Sequence, residues 1–277
     1  MGQQLPPLML ITSASNSRLK QLRAALRNGG SDAQGQVRIE GAKLVREAIQ
    51  SHLLVDEVYV SESCRRDSET QVLLNRIPGD PEIVEVSDRL FPTIVSTEHP
   101  QGLLAIARIP SFQLDAVLQR SSILLVGCEL QDPGNLGTLL RSAEAFGVEG
   151  VLLTRTSVDA WNEKVVRASA GSIFRLPCLG GFESKDLLGN LVRNRFHLVA
   201  AAPRAAIDFR KANYGDRFAL ILGNEGKGLS QEILSQVQTR IQIPMAARIE
   251  SLNVAVAASI ILCEAARQRR GSGGHES

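Results

Sequence analysis

The chain has 277 residues, 44% hydrophobic and 22% charged, with a formal net charge of +2, the profile of an ordinary soluble globular protein with one large core or two modest ones. No apolar run approaches the roughly 18–20 residues that span a bilayer, the patch 5–11 lacks the length and basic flank of a signal segment, and Pro6 breaks a myristoylation signal. Cys64, Cys128, Cys178 and Cys263 stand at no metal-ligand spacing, which excludes a zinc site or disulfide framework and points to a reducing compartment, the cytoplasm. Residues 16–27 read as a first helix, because Leu19, Leu22 and Leu26 recur three and four apart and Ser15 or Asn16 can cap it. Its Arg18, Lys20, Arg23 and Arg27 belong to a segment, 1–50, with seven bases against three acids, which suggests a polyanionic partner. A solvated helix face is the competing explanation.

Gly29 and Gly30 end this helix, and 40–49 form a second with Leu44, Val45, Ala48 and Ile49 on its apolar side. Short strands at 58–60, 83–86 and 103–107 complete a small α/β domain over 1–110. Residues 111–120 read as a linker. Beyond it, apolar runs at 123–126, 151–153, 198–202, Phe218–Leu222 and 241–243 lack alternation, and so fit a parallel sheet covered on both faces. Helical stretches at 137–146, 162–172, 185–193, Gln231–Gln236 and 252–267 alternate with them, the pattern of an open doubly wound sheet. Ligands of such sheets gather beyond the carboxyl ends of the strands. This domain covers 121–270, and the tail 271–277 is expected to be disordered.

The run Phe218–Leu222 empties into Gly-Asn-Glu-Gly-Lys-Gly-Leu-Ser at 223–230, a glycine cradle with the carboxylate of Glu225 in its middle. A P-loop needs four residues before its Gly-Lys pair and a hydroxyl residue after it; here only Asn224 and Glu225 intervene and Gly228 follows. A dinucleotide fingerprint starting at Gly226 meets Gln231 at its third glycine, and Val126-Gly127-Cys128-Glu129 lacks the Gly-x-Gly of a first strand end. Glu225 would also repel a pyrophosphate. The loop is therefore built to bring main chain close to something other than an anion.

Three segments lie at strand ends. Asp132-Pro-Gly-Asn135-Leu-Gly137-Thr-Leu-Leu-Arg141 runs from a loop into a helix, with Arg141 in its second turn. Leu222-Gly-Asn-Glu225-Gly226 is the glycine loop, and Ile243-Pro-Met245 leads to Glu250-Ser251-Leu252-Asn253 at the start of the last helix. In this order and spacing they resemble the motifs of the SpoU (TrmH-like) RNA ribose 2′-O-methyltransferases of the SPOUT superfamily, over roughly 123–267. More weakly, Ser15-Asn16, Lys20, Glu40-Gly41 and Pro100-Gln101-Gly102 resemble the substrate-binding domain, L30e-like, that precedes the catalytic domain in many members. Ser17 stands where proline is frequent.

The resemblance implies a deep trefoil knot in the larger domain, S-adenosylmethionine as methyl donor, and a homodimer with sites at its interface. By position in the motifs, Gly223, Ile243 and Leu252 would contact the donor, with Leu222 and Met245 as apolar walls. A sulfonium without phosphates explains why a carboxylate is tolerated in the cradle. Arg141 matches the motif arginine and would be catalytic, together with Asn135, Glu225, Ser251 and Asn253. A guanidinium almost never releases its proton, so Arg141 suits a fixed cation beside the 2′-oxygen better than a general base. Asn135 would orient Arg141 or the ribose, and Glu225 would fix a motif asparagine or a partner's arginine; helix capping is the rival role for Asn135, Ser251 and Asn253. No metal is implied, because the leaving group departs neutral. With only 4% aromatic residues for base stacking, a structured RNA is the expected substrate, ribosomal rather than transfer RNA. The alternative is a non-catalytic RNA-binding or assembly protein that has kept the fold; a nicotinamide enzyme lacks its fingerprint.

Overall fold

In the computed structural model, which describes residues 10–28, 34–203, 205–246 and 251–272, the chain divides into Met1–Pro110 with Trp161–Arg167, and Ser111–Ala160 with Ala168–Ser277. The first unit comprises β1 (Leu10–Ile11), α1 (Ser17–Asn28), β2 (Gln36–Glu40), α2 (Ala42–Gln50), β3 (Val55–Ser61), α3 (Glu62–Arg66), α4 (Ser68–Leu74), β4 (Glu82–Val86) and β5 (Leu103–Arg108). Its five-stranded sheet has the order β1-β4-β3-β5-β2, with β4 parallel to both neighbours and β5 antiparallel to both of its own. Asn16 starts α1 by accepting a hydrogen bond from the Arg18 amide at 2.9 Å. Leu19 and Leu22 then pack on Tyr59, Val84, Phe91 and Leu104.

Strand β2 is absent from the sequence reading because a buried arginine interrupts its apolar pattern. Arg38 is only 7% exposed. Its Nη1 donates to the Leu22 carbonyl at 2.8 Å, its Nη2 donates to the Ile94 carbonyl, and its Nε lies 2.6 Å from Glu163 Oε1. Burial pulls this guanidinium below its ordinary pKa, with Glu163 opposing the shift. At the end of β2, where Glu40 faces Leu104, Gly41 (φ 93°) and Gly102 (φ 77°) both take left-handed backbone that favours glycine. A Cβ on Gly41 would come within 2.9 Å of Gln101 Oε1, so Glu40-Gly41 and Gln101-Gly102 form one corner.

The second unit begins with a correction. The stretch 111–120, read as linker, is largely helix α5 (Leu114–Arg120), whose Val117 and Leu118 are buried in the core at a spacing the reading passed over. The chain continues through β6 (Ile123–Gly127), α6 (Pro133–Ala145), β7 (Gly150–Thr154), α7 (Glu163–Ser169), which starts within the first unit's segment, β8 (Cys178–Phe182), α8 (Ser184–Arg193), β9 (His197–Ala201) and β10 (Ile207–Asp208). It ends with β11 (Phe218–Leu222), α9 (Gln231–Gln236), β12 (Thr239–Gln242) and α10 (Val254–Ser272). The seven strands run in the order β10-β12-β9-β11-β6-β7-β8 and every pairing is parallel. Every residue of β6, β7 and β11 is buried, which is why these strands read as unbroken apolar runs.

Helix α6 starts four residues earlier than its periodicity suggested. Asp132 caps it by accepting from the Asn135 amide at 2.7 Å, and Pro133 supplies the pre-set first helical position. Arg141 therefore sits in the third turn rather than the second. Helix α10 runs to Ser272, so the start of the expected disordered tail is helical and 273–277 lie outside the described residues. From β6 the chain moves outward to β7 and β8, then returns on the other side at β9, leaving β11 between β9 and β6. That reversal puts a crevice at the carboxyl ends of these strands.

Candidate active site

Beyond the last residues of β6 and β11, the Cys128 amide still donates to the Leu222 carbonyl at 2.8 Å, so the two loops leave the sheet side by side. The loop after β11 closes on itself: the Asn224 amide donates to the Gly228 carbonyl at 3.1 Å, and the Gly228 amide returns a bond to the Asn224 carbonyl at 2.9 Å. A Cβ on Gly223 would come within 2.5 Å of the Gly228 carbonyl oxygen and 2.7 Å of the Leu229 nitrogen, so only glycine fits there.

This loop forms one wall of a cleft of about 330 Å³. Leu222 lines it from the end of β11 and Gly223 from the loop that follows, Ile243 and Met245 from the segment after β12, and Ser251 and Leu252 from the approach to α10. All five residues expected to contact a donor face this one space. The far side is Ala201 and Ala202 at the end of β9, with Ala257 and Ile261 of α10. The sequence reading missed Ala201 and Ala202, although the rule that ligands gather at strand ends pointed to them.

Of the residues expected to be catalytic, Glu225 and Ser251 line the cleft, whereas Asn135, Arg141 and Asn253 do not. A hydrogen-bonded chain nevertheless joins Glu225, Asn135 and Asn253. The Ala255 and Val256 amides at the start of α10 donate to Asn253 Oδ1 at 2.9 and 3.2 Å. Asn253 Nδ2 donates to Asn135 Oδ1 at 2.7 Å, and Asn135 Nδ2 donates to Glu225 Oε1 at 3.1 Å. Glu225 accepts further from the Gln131 and Asp132 amides at 3.4 and 3.3 Å. Each amide's orientation is thus fixed by its neighbour, from a helix N-terminus to a carboxylate. Asn253 both caps α10 and grips Asn135, while Asn135 is no cap, because Asp132 holds that place.

Arg141 is exposed on α6, and among the described residues it has no hydrogen-bond or ion-pair partner. The adjoining Ser142 Oγ accepts from Ser259 Oγ of α10 at 2.7 Å, which seats the two helices together. Ser251 is exposed beside 247–250, which lie outside the described residues along with Glu250 of the quoted motif. Cys128, beneath the loops, is pushed up to about 12 by burial and then by Glu129, so it is a packed thiol and not a nucleophile. No group of metal-ligating side chains occurs among the described residues.

In the first unit, two of the expected RNA-binding bases are engaged by the fold itself. Arg18 pairs with Glu82 at 2.6 Å, and Arg23 donates to Thr93 Oγ1 at 2.9 Å and to the Ala14 carbonyl at 2.8 Å. Lys20 is exposed and without a partner among the described residues, and the side chain of Arg27 lies outside them. No helix among the described residues is long and apolar enough to cross a membrane.

The family described as SpoU rRNA methylase matches residues 122–263, and the MRM3-like substrate binding domain matches 16–105. The chain belongs to the SpoU rRNA methylase family. It is 30% identical to the 23S rRNA (guanosine(2553)-2′-O)-methyltransferase RlmP of Bacillus subtilis, over 91% of this chain and 97% of that one. A crystal structure of an RNA 2′-O ribose methyltransferase superposes with a TM-score of 0.80 at 34% identity, covering 95% of this chain and all of the other. An rRNA methyltransferase from Sinorhizobium meliloti, solved with S-adenosylmethionine bound, superposes with a TM-score of 0.81 at 26% identity, covering 94% and 98% of the two chains. This SpoU chain is therefore an RNA methyltransferase with a substrate-binding domain ahead of its catalytic one.

S-adenosylmethionine is the methyl donor of the family, and the cleft suits it. Gly223 leaves a place where main chain approaches without a side chain, and the walls from Leu222, Ile243, Met245 and Leu252 are apolar. Among the described residues, the charged ones lining it are Glu225 and Lys227, a poor setting for a polyphosphate and an acceptable one for a neutral adenosine bearing a sulfonium.

Proposed function

We propose that this SpoU methyltransferase transfers the methyl group of S-adenosylmethionine to a ribose 2′-hydroxyl of structured RNA, ribosomal rather than transfer RNA. The observation that carries the reading is the chain Glu225–Asn135–Asn253, which ties three distant segments together beside the cleft while Arg141 stays unpaired. The donor supplies an electrophilic methyl on a positively charged sulfur. Gly223, Ile243 and Leu252 bind it, Leu222 and Met245 enclose its apolar parts, and Glu225, Asn135 and Asn253 hold the α6 and α10 starts in register. Arg141 stabilises negative charge on the attacking 2′-oxygen, whose proton leaves to a phosphate or water, because a guanidinium stays protonated. Ser251, at the mouth of the cleft, completes the polar rim.

The first unit selects the RNA, through phosphate contacts from Lys20 and its neighbours and through the corner at Gly41 and Gly102. The named activity of the Bacillus subtilis relative supports a ribosomal 2′-O target. We extend the same reading to a trefoil knot at the cleft, to a homodimer whose second copy covers the exposed Val256 on α10, and to the cytoplasm, where RNA and donor meet. A binding protein without activity is disfavoured, since nothing in its task would require the intact polar chain.

Mapping 2′-O-methylation across total RNA from cells with and without the protein tests the proposal. Loss at one ribosomal position is expected, restored by the wild-type chain. An unchanged methylation map would refute it.

A further inference from the structure

The loop after β6, which carries Asp132 and leads to Asn135, is gripped from two sides by consecutive residues of the glycine loop. Glu225 takes its donors, the amides of Gln131 and Asp132. Asn224 takes its acceptor: Nδ2 donates to the Glu129 carbonyl at 2.9 Å. At the same time Asn224 Oδ1 accepts from the Gly226 and Lys227 amides at 2.9 and 3.0 Å, which keeps the glycine loop folded. The opposite orientation of this amide would set its NH2 against two N–H donors, so the bonding pattern fixes which end faces Glu129.

The gripped residue is unusual. Glu129 has φ 57°, the left-handed region that side chains other than Gly, Asn and Asp rarely adopt. Its amide is held by Thr154 Oγ1 at 2.9 Å, and the next amide, of Leu130, by Ser157 Oγ at 3.2 Å. With the Asn224 bond on its carbonyl, both backbone groups of Glu129 and the amide that follows it are held. The reversal turns the chain out of β6 so that Asp132 can cap α6 and present Asn135 to Glu225.

We infer that Asn224 is a positioning residue of the methyl-transfer reaction, coupling the donor-binding loop to the loop that sets Asn135 and α6. The inference rests on the proposed function for its reaction and on geometry for its clasp. Asn224→Asp separates its two tasks. An aspartate still accepts from Gly226 and Lys227, but it cannot donate to Glu129 and turns a carboxylate oxygen toward that carbonyl.

The test uses the full-length chain. In Asn224→Asp, amide hydrogen exchange across 129–132 is expected to quicken about tenfold, the scale of one lost hydrogen bond, while Gly226 and Lys227 stay protected. Asn224→Ala should release both sets of amides. Asn224 lines the cleft, but its Nδ2 is taken up by Glu129 and its Oδ1 by Gly226 and Lys227. Calorimetry should therefore find S-adenosylmethionine affinity within about threefold of wild type in Asn224→Asp, with kcat for RNA methylation down about tenfold and KM for the donor unchanged. Exchange across 129–132 matching wild type would overturn the inference, as would donor affinity falling in step with kcat. So would equal acceleration at the buried amides of β6 and β11, the sign of general destabilisation. If the wild-type chain neither binds the donor nor methylates RNA, the proposed function fails, while the exchange result still decides whether the clasp exists.

Discussion

Arg38 and Arg141 carry the same side chain, one in each unit, and the structure treats them in opposite ways. Arg38 is buried in β2 with two backbone carbonyls and Glu163 around its guanidinium. Arg141 stands exposed on α6 with no partner among the described residues, a short way along the helix from the hydrogen-bonded chain of Glu225, Asn135 and Asn253. A buried charge must be satisfied by the fold, or folding fails. A charge meant for a reacting atom must be left for it, held by a rigid helix and not by an ion pair. The difference separates an architectural arginine from a chemical one without reference to any motif.

The largest effect should come from breaking the architectural side. Arg38→Ala leaves the carbonyls of Leu22 and Ile94 and the carboxylate of Glu163 without their partner. Removal of one member of a buried pair costs about 3–5 kcal/mol. Trp161 is the single tryptophan and groups with the first unit, so its fluorescence in a urea titration reads that unit's stability separately. Adding Glu163→Ala should recover part of the loss, because the stranded carboxylate is then gone. A double variant as weak as the single one would mean that the carbonyl contacts, and not the ion pair, make Arg38 architectural.

Arg141→Ala should show the reverse pattern. Turnover is expected to fall by about 10²–10³, the scale seen when one preorganised transition-state contact is removed. Stability should change by no more than about 0.5 kcal/mol, as for an exposed residue without partners. S-adenosylmethionine binding, read by calorimetry, should stay within about twofold, since Arg141 does not line the cleft. A variant with full turnover, or one that loses stability as Arg38→Ala does, would erase the contrast between the two arginines.

Much of this contrast was hidden from the sequence. The central strands were legible because burial on both faces leaves unbroken apolar runs such as Phe218–Leu222. Strand β2 was not, since Arg38 occupies a core position that only tertiary partners make tolerable. Strand β8 was not either, because Gly180 and Gly181 remove the side chains that mark a strand. Helix α5 was hidden by a reading that saw only the break after Pro110. At the site, the residues stood out through their resemblance to known motifs, but their bonding could not be read. Asn135 lies 90 residues from Glu225 and 118 from Asn253, and no local pattern encodes contacts at such separations. Asn224 was quoted in its loop and given no role, because an asparagine beside glycine looks like turn chemistry until Glu129 is seen on its other side.

Glycines sharpen the comparison at a smaller scale. Gly102 in the first unit is required twice over, by φ 77° and by Ser61 Oγ, which a Cβ would approach to 2.5 Å. Gly223 has no left-handed backbone, so an alanine there is conformationally ordinary and fails for one reason only: its Cβ would meet the main chain of Gly228 and Leu229. Main chain cannot rotate aside as a side chain can. Gly223→Ala must therefore displace the loop that walls the cleft, at an overpacking cost of about 1–3 kcal/mol. If the displacement is confined to the loop, most of that cost appears as weaker donor binding, about tenfold by calorimetry, with little change in the unfolding midpoint of the second unit. If instead the midpoint falls and donor affinity holds, the close approach at Gly223 serves the sheet rather than the donor, and the cleft's main-chain wall is architectural in the same sense as Arg38.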